Sequence, residues 1–481
     1  MKKSEISRRK FLGTAAAAGA AGIVAPAFLT GCSSGASKQG EPGKLAEVPE
    51  VPWLDQAPDG KVLKAGVIGC GGRGKGAAIN FLNAGPNLQI TAIGDTFKDR
   101  VDDCRATILK QKQQEVPAEN CFVGFDAFQK VIDSGVDIII LATPPYFRPE
   151  HLAAAVAARK HVFAEKPLAV DPVGARSVMA TAEKAKELGL TIVTGTQRRH
   201  ERDYVAAYEH VKAGNIGDVI GGEVYWNQSK LWHRENDPKW SEMEWMIRDW
   251  VNWTWLSGDH IVEQHLHNID VMNWFAGAHP VKAVGMGSRL RRINGDQYDF
   301  FSVDYVFDNG MHFASMCRQI NGCANNVSER ILGTKGAVVS SPRNVSIKDL
   351  TGKDMWVYSY PPDDTGKPSP GKMLDPYVQE HIDMVAAIRN EKPFNELENT
   401  AISTMTAIMG RVSAYTGKET TWDEMMNSDM KLGPKVFAWG PVDIPKEVPV
   451  AGEAYDPVAE KKRAEERAAA RAKERAAKPA N

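Results

Sequence analysis

One glycine-rich segment limits the folds open to this chain more than any other feature of its sequence. Residues 62–68 form an apolar run typical of a buried strand, the segment Gly-Cys-Gly-Gly-Arg-Gly follows at once, and residues 75–83 have a helical pattern. In a G-x-G-x-x-G motif the first glycine permits a tight turn, the second lets the backbone approach a pyrophosphate, and the third allows close helix–strand packing. The helix then presents free amides and a partial positive charge to the phosphates. We therefore predict a dinucleotide-binding loop made of Gly69, Cys70, Gly71, Gly72, Arg73 and Gly74.

An acidic residue lies where such a fold needs one. Residues 88–93 read as a second strand, and Asp95 follows Gly74 by 21 residues. A carboxylate about 20 residues beyond the motif accepts hydrogen bonds from the adenosine ribose. Because a carboxylate there repels a 2′-phosphate, the sequence favours NAD, with NADP the less favoured cofactor.

Strands and helices continue to alternate after this unit. Residues 136–142, 161–164 and 191–194 are apolar runs, as expected of strands buried on both faces of a parallel sheet. Ligands bind such sheets at the carboxyl ends of the strands. Cofactor contacts are therefore expected from the polar residues that follow the strands, Thr143, Glu165, Lys166 and Gln197.

Charge and length exclude several classes of protein. The 481 residues carry 59 Lys and Arg against 60 Asp and Glu, a formal net charge of −1. A nucleic-acid partner is not expected, because such proteins show a basic excess or patch. The length suits two or three domains, at about 100–200 residues each. Since the cysteines show no zinc-type spacing, no metal site is expected.

The N-terminal residues resemble an export address. Paired arginines at residues 8 and 9 precede a weakly apolar Ala/Gly run, the pattern of a twin-arginine signal. Leu-Thr-Gly-Cys then resembles a lipobox, so we expect residues 1–32 to be a signal and Cys32 to carry lipid. Cleavage without lipid and an uncleaved membrane anchor are the alternatives. Residues 33–60 read as a linker, and the protein is expected in the periplasm or lipid-anchored to the cell envelope, with the lipid its only membrane contact.

Two further motifs carry a family resemblance. Thr143-Pro144-Pro145 with His151, followed by Glu165-Lys166-Pro167, resembles the glucose–fructose oxidoreductase/inositol dehydrogenase (Gfo/Idh/MocA) family over about residues 60 to 425. The resemblance implies an α/β fold, with an N-terminal Rossmann dinucleotide-binding domain and a C-terminal α/β domain that has an open, mostly antiparallel sheet. It also implies that Pro144 and His151 contact the cofactor and that Lys166 points into the active site. We place these domains at residues 61–195 and 196–430, with a charged tail at 431–481.

The segment 257–270 contains the second catalytic candidate. Ser257 or Asp259 is expected to cap a helix on which Glu263 and His267 share a face, so that the carboxylate orients the imidazole. The family usually has Asp-x-Gly-x-His-x-x-Asp here, and the resemblance implies acid/base roles for His267 and Lys166. A metal site of three histidines is the alternative, although residues 260, 265 and 267 do not share one helix face.

Substrate contacts are expected from residues near the strand ends of both domains. Eight tryptophans fall between Trp226 and Trp274, and flat apolar rings suit the walls of a small-ligand pocket. Most of the eight are nevertheless expected to be core or oligomer contacts. The substrate candidates are Arg199, His200, Trp226, Asn227 and His265.

These features lead to one main functional hypothesis and two alternatives. The main hypothesis is an NAD(P)-dependent oxidoreductase acting on a sugar or glycoside hydroxyl, exported with tightly bound cofactor, because free NAD is scarce outside the cytosol. The first alternative is a redox-neutral NAD-dependent glycoside hydrolase or lyase. The second is a lipid-anchored sugar-binding protein with a vestigial cofactor site. The family resemblance implies a homo-oligomer and a carbohydrate substrate.

Overall fold

The computed structural model describes residues 45–454 and 456–477, so the predicted twin-arginine signal and Cys32 lie outside the described residues. Within this part of the chain, six parallel strands form the first sheet, in the order β3-β2-β1-β4-β5-β6. The strands are β1 Leu63–Ile68, β2 Leu88–Asp95, β3 Cys121–Val123, β4 Ile138–Leu141, β5 His161–Ala164 and β6 Ile192–Thr194. All four residues of β4 are fully buried, which confirms the expectation drawn from its continuous apolar sequence.

Helices connect these strands and cover both faces of the sheet. They are α1 Gly72–Asn83, α2 Lys98–Lys112, α3 Ala127–Asp133, α4 Arg148–Ala157 and α5 Pro172–Glu187. The Asp171 side chain caps α5 by accepting a hydrogen bond from the amide of Gly174 at 2.7 Å. The change in strand order between β1 and β4 creates the crevice in which such sheets bind ligands.

In the same part of the chain, nine strands form the second sheet, in the order β14-β13-β12-β11-β7-β10-β9-β8-β15. All neighbouring pairs are antiparallel except β7 and β10, so the predicted open, mostly antiparallel sheet is confirmed. The strands are β7 Val219–Gln228, β8 Lys282–Ser288, β9 Phe300–Val306, β10 His312–Gln319, β11 Asn326–Gly333, β12 Gly336–Ser341, β13 Asn344–Asp349, β14 Asp354–Val357 and β15 Thr420–Thr421.

One face of this sheet is buried by helices and the other is open. Phe301, Val303 and Tyr305 alternate with more exposed residues along β9, as a period of two requires. The Tyr305 hydroxyl donates to the carbonyl of Thr406 at 3.1 Å, which joins the sheet to its longest covering helix. The remaining helices are α6 Arg202–Lys212, α7 Glu242–Arg248, α8 Thr254–Ser257, α9 His260–Glu263, α10 Leu266–Ala276, α11 Pro376–Arg389, α12 Leu397–Thr416, α13 Trp422–Asn427 and α14 Pro457–Ala477, of which α11 packs into the core of the first domain.

The packed body is longer at both ends than the predicted boundaries. Ala57, in the predicted linker, is 3% exposed in the core of the first domain, and Ala46 exchanges two backbone–side-chain hydrogen bonds with Asn215. At the other end, the carbonyl of Pro449 accepts a hydrogen bond from the Tyr298 hydroxyl at 2.9 Å. Residues 45–60 and 431–449 therefore belong to the fold, because their apolar side chains find partners that sequence patterns do not show.

No helix in the described ranges combines the length and the apolar character that crossing a bilayer requires.

Candidate active site

Two glycines of the loop after β1 are fixed by close packing. Gly69 has φ of +93°, and a Cβ on it would lie 2.7 Å from the backbone of Thr143. A Cβ on Gly74 would overlap the carbonyl oxygen of Gly69. These residues therefore have the roles that the motif assigns to its first and third glycines.

The middle of the loop faces open space. A Cβ on Gly72 would meet nothing within 4 Å, and one on Gly71 would meet only the guanidinium of Arg100, at 2.8 Å. The first amides of α1 open onto the same space. A pyrophosphate fits here, because its oxygens can approach the backbone and accept from free N–H groups.

The loop forms one wall of a cavity of ≈ 510 Å³. A groove of this size suits a bound small molecule or cofactor. It is lined by eight of the residues predicted to bind the dinucleotide, Gly69, Gly71, Gly72, Arg73, Asp95, Thr143, Pro144 and His151. The other five predicted cofactor residues are not part of this lining, namely Cys70, Gly74, Glu165, Lys166 and Gln197.

Asp95 ties the loop to the end of β2. Its two carboxylate oxygens accept from the amides of Cys70 at 2.8 Å and Phe97 at 2.9 Å. Burial raises the pKa of Asp95, and the positive charge of Arg100 partly offsets this. The carboxylate lines the cavity with lone pairs left for ribose hydroxyls.

We expect Asp95→Ala to weaken NAD binding about 10–100-fold, because hydrogen bonds to a charged acceptor contribute roughly 1.5–3 kcal/mol each. Titration calorimetry with NAD measures the change. Asp102→Ala is the control, since the Asp102 carboxylate lies exposed on α2 and pairs only with Lys98. Unchanged NAD affinity in Asp95→Ala would show that this carboxylate does not hold the ribose.

A buried arginine that sequence reasoning missed organises the loops after β4 and β5. Arg148 is 3% exposed and donates to the carbonyls of Thr143, at 2.8 Å, and Pro167. His151, one turn later, stacks on Phe128 with ring centroids 4.1 Å apart, and burial lowers its pKa to about 3. His151 is therefore a neutral wall of the cavity.

The residues after β5 link the glycine loop to the second domain. Glu165 is 4% exposed, and its carboxylate pairs with the guanidinium of Arg73 in the glycine loop. The ammonium of Lys166 donates to the carbonyl of Glu263 at 2.7 Å and to its carboxylate at 3.1 Å. Lys166 thus lies beside the cofactor groove and is anchored by one residue of the second domain.

The predicted contact between Glu263 and His267 is wrong. The chain does not form one helix here, because α9 ends at Glu263 and α10 begins at Leu266. The carbonyl of Glu263, which would accept from the amide of His267 in a continuous helix, accepts from Lys166 instead. Glu263 therefore positions the lysine and not the imidazole. The prediction of Asp259 as a helix cap is confirmed.

His267 lies against Trp226 with ring centroids 5.4 Å apart and interplanar angle 26°. Burial, followed by the positive charges of Lys166 and Arg198, holds the pKa of His267 well below its ordinary value. The imidazole is therefore neutral near pH 7 and able to accept a proton.

Comparison with known proteins agrees with this geometry. Residues 63–192 match the model of the oxidoreductase family with an NAD-binding Rossmann fold, and residues 204–339 match the GFO/IDH/MocA C-terminal domain. The chain belongs to the Gfo/Idh/MocA family. Its first domain is an NAD-binding Rossmann domain, as the sequence predicted.

Curated relatives within this family differ in activity. The scyllo-inositol 2-dehydrogenase (NAD(+)) of Bacillus subtilis is 23% identical over 295 residues, which are 60% of this chain and 78% of that protein. A glycosyl hydrolase family 109 protein of Solibacter usitatus is 28% identical over 228 residues, 46% of this chain and 50% of that protein. Family membership alone therefore leaves the reaction open.

Among solved structures, the scyllo-inositol dehydrogenase of Lactobacillus casei with bound NAD(H) and scyllo-inositol has a similar fold. Its TM-score is 0.56 at 19% identity, and the match covers 75% of this chain and 99% of that one. This Gfo/Idh/MocA protein thus shares the fold of that structure.

A buried network that the sequence did not reveal borders His267. Arg198 pairs with Glu329, and its guanidinium lies over the Trp226 ring at 5.6 Å. The Glu329 carboxylate also accepts from Tyr204, Asn268 and Ser340. Glu329 was not identified from the sequence, because its partners come from distant segments; the alternating burial along β11 turns its side chain inward.

Two predicted substrate residues are instead held in buried ion pairs. Arg199 donates to both carboxylate oxygens of Asp270, at 2.8 and 3.0 Å. His200 lies between Asp383, at 2.6 Å, and Glu396, at 3.2 Å. These pairs hold both side chains in place, and a contact of either with a substrate stays a prediction.

Two further predicted substrate residues have a packed or an outward-facing side chain. His265 is fully buried, its Nε2 lies 2.7 Å from the hydroxyl of Ser315, and burial lowers its pKa to about 3. Asn227 follows Trp226 along β7, so its side chain lies on the opposite, open face of the sheet. Of the five predicted substrate residues, Trp226 alone contacts a catalytic candidate. The described residues contain no cluster of His, Cys, Asp or Glu suited to a metal ion.

A buried histidine near the site provides a pH test of the fold. His381 is fully buried beside Phe163, both its ring nitrogens lack partners among the described residues, and burial holds its pKa well below the ordinary value. The unfolded chain therefore binds a proton below about pH 6.5 that the native state does not, which removes stability as pH falls.

We expect the free energy of unfolding of His381→Leu to increase relative to that of the natural protein as pH falls below about 6.5. The difference should grow by about 1.4 kcal/mol for each pH unit. Urea unfolding on either side of that pH measures the difference. His279→Leu, at a partly exposed histidine stacked on Trp422, is the control for losing an imidazole elsewhere in the fold. A stability difference for His381→Leu that does not change with pH would contradict this account.

Proposed function

We propose that this protein is an NAD-dependent oxidoreductase that acts on a hydroxyl group of a sugar or cyclitol. The observation that carries the proposal is the pairing of an anchored lysine with a neutral histidine beside the cofactor groove. Lys166 is fixed by Glu263, and His267 is held against Trp226 with its pKa well below the ordinary value because of burial and nearby positive charge. The similarity to inositol dehydrogenases supports this choice of substrate class.

The two side chains suit complementary roles in oxidising an alcohol. His267 accepts the hydroxyl proton, because its imidazole is neutral. Lys166 uses two of its three N–H groups on Glu263 and has one left to donate to the alcohol oxygen as negative charge develops. NAD supplies the hydride acceptor when bound, and the alcohol becomes a ketone.

A redox-neutral glycoside hydrolase or lyase is the second candidate. It is favoured by the cover over the cofactor groove, where Trp232, Trp250 and Phe437 form part of the lining. A covered cofactor suits a reaction that returns its own electrons. The glycosyl hydrolase family 109 relatives support this alternative.

One experiment separates the two candidates. Protein loaded with NAD is mixed with cyclitols, aldoses and aryl glycosides, and NADH absorbance and aryl release are followed together. NADH formed in proportion to product supports the oxidoreductase. Aryl release without net NADH supports the hydrolase or lyase and overturns the main proposal. If no compound gives either NADH or aryl release, the main proposal is also overturned.

We also propose that the protein is exported by the twin-arginine route and carries lipid on Cys32. The residues before Cys32 and the paired arginines support this. Mass spectrometry of the mature N-terminus tests it, since an unmodified terminus contradicts lipidation.

We propose, finally, that copies of the chain associate through the open face of the second sheet. Val284, Met286 and Met316 are 45%, 66% and 41% exposed there, and Met286 and Met316 both lie beside Ser302 in the strand register. Exposed apolar side chains in one patch favour a protein contact. Light scattering that reports a monomer would contradict this proposal.

A further inference from the structure

Two segments of the second domain cover the dinucleotide groove. We call residues 229–257, between β7 and α9, and residues 429–447, after α13, the roof. Roof residues line the same cavity as the glycine loop, among them Trp232, Arg234, Trp250 and Phe437. The cavity is therefore built from both domains, and a dinucleotide in it meets residues outside the Rossmann fold.

An ion pair fastens the roof to the Rossmann domain. The Arg248 guanidinium donates to both carboxylate oxygens of Asp99 on α2, each at 3.0 Å, and its Nε donates to Glu244 at 2.9 Å. The same guanidinium lies 3.9 Å from the centroid of the Phe97 ring. Because the pair is bidentate and the guanidinium also stacks on an aromatic ring, it fixes both the distance and the orientation of the roof relative to α2.

Apolar packing strengthens this attachment. Phe97 at the start of α2 shares a buried cluster with Met246, Trp255 and Val442 of the roof. The Trp439 ring lies 5.7 Å from the Phe97 centroid and 4.9 Å from that of Phe125. Opening the groove would expose these surfaces to water, so the closed arrangement is favoured.

Both positively and negatively charged side chains line the groove. Arg100 of the Rossmann domain and Arg234 of the roof both line the cavity. Burial lowers the pKa of Arg100, and the positive charge of Arg234 lowers it further, while Asp95 acts in the opposite sense. A diphosphate between the two guanidiniums relieves their repulsion, and the roof tryptophans offer flat surfaces of the kind that an adenine ring stacks on.

We propose that the roof is the second half of the NAD site and retains the cofactor through successive turnovers. Arg234 supplies charge for the diphosphate, Trp232, Trp250 and Phe437 supply apolar surface, and the Arg248–Asp99 pair holds them in place. This rests on the NAD site of the proposed function, but it concerns the lifetime of bound cofactor rather than the reaction.

The test measures how long NAD(H) stays bound. Full-length protein is saturated with NAD, passed through gel filtration, and assayed over time for cofactor released by denaturation. The natural protein is expected to keep close to one NAD(H) per chain, whereas Arg248→Ala and Phe437→Ala should release it about tenfold faster or more. Arg463→Ala is the matched control, because Arg463 is also held by two carboxylates, Glu453 and Glu460, but lies on the exposed helix α14.

A variant of the other partner guards against misfolding of the alanine variants. Asp99→Asn removes the charge that Arg248 pairs with but keeps the contacts of Arg248 with Glu244 and Phe97, and it should also speed release. If the natural protein binds added NAD but loses it as fast as the variants do, the roof proposal is overturned while the NAD site stands. If the natural protein binds no NAD at all, both the roof proposal and the proposed function are overturned.

Discussion

Replacing Lys166 with alanine is expected to lower kcat about 10²–10³-fold while leaving NAD affinity within a factor of about three. The ammonium contacts Glu263 and lies beyond the residues that line the dinucleotide cavity. Its loss therefore removes stabilisation of the developing alkoxide and not a cofactor contact. Steady-state kinetics with the substrate found in the screen, together with NAD titration, measure the two effects separately.

Two further variants complete this test. Lys184→Ala removes a lysine on the exposed face of α5 that pairs only with Glu187, and it should behave as the natural protein does. Glu263→Gln keeps the backbone carbonyl that accepts from Lys166 but weakens the second contact, so an intermediate loss of kcat is expected. Near-natural turnover by Lys166→Ala would remove the lysine from the mechanism.

His267→Ala is expected to lower kcat about 10²–10⁴-fold, the usual contribution of a general base. Burial and the charges of Lys166 and Arg198 hold the pKa of His267 well below its ordinary value. The natural enzyme should therefore stay active as pH falls through the normal histidine range and lose activity only in more acidic solution, where His267 becomes protonated. The variant should lack that acidic limb.

The pH–rate profile distinguishes a base from a packing residue. Added imidazole should restore part of the activity of His267→Ala, because the space beside Trp226 is then open to a small base. His279→Ala, which alters a ring stacked on Trp422 away from the groove, should keep the natural profile. An unchanged acidic limb in His267→Ala would assign that limb to another group.

The glycine loop and its surroundings could be predicted because their signals are local. A tight turn needs a residue such as Gly69 with positive φ, and close helix packing needs Gly74, so the sequence must carry glycine there. The apolar runs of the parallel strands are equally direct. Asp95 could be predicted by its spacing from the motif.

Contacts between distant segments could not be predicted from such patterns. Glu329 meets Arg198 from a strand that lies 131 residues further along the chain. His200 was expected to face a ligand, but its partners Asp383 and Glu396 come from α11 and the start of α12. A motif shows which residue types are present, whereas only the fold shows which charges neutralise one another.

The tryptophan-rich segment illustrates the same limit. Its composition indicated a place where flat apolar rings gather, and Trp226 does lie against His267. Most of the others belong to the roof over the cofactor, namely Trp232, Trp240, Trp245, Trp250, Trp253 and Trp255. Their contact with the first domain depends on side chains such as Phe97, which the local sequence does not identify.

A single-turnover measurement tests the central claim most directly. Protein carrying one bound NAD is mixed rapidly with each cyclitol or sugar in the absence of free cofactor, and NADH absorbance is recorded. We predict that at least one compound reduces the bound NAD in the natural protein and that Lys166→Ala and His267→Ala, equally loaded, remain oxidised over the same time. Reduction at the natural rate in either variant would contradict the assignment of these two side chains to the oxidation of the hydroxyl.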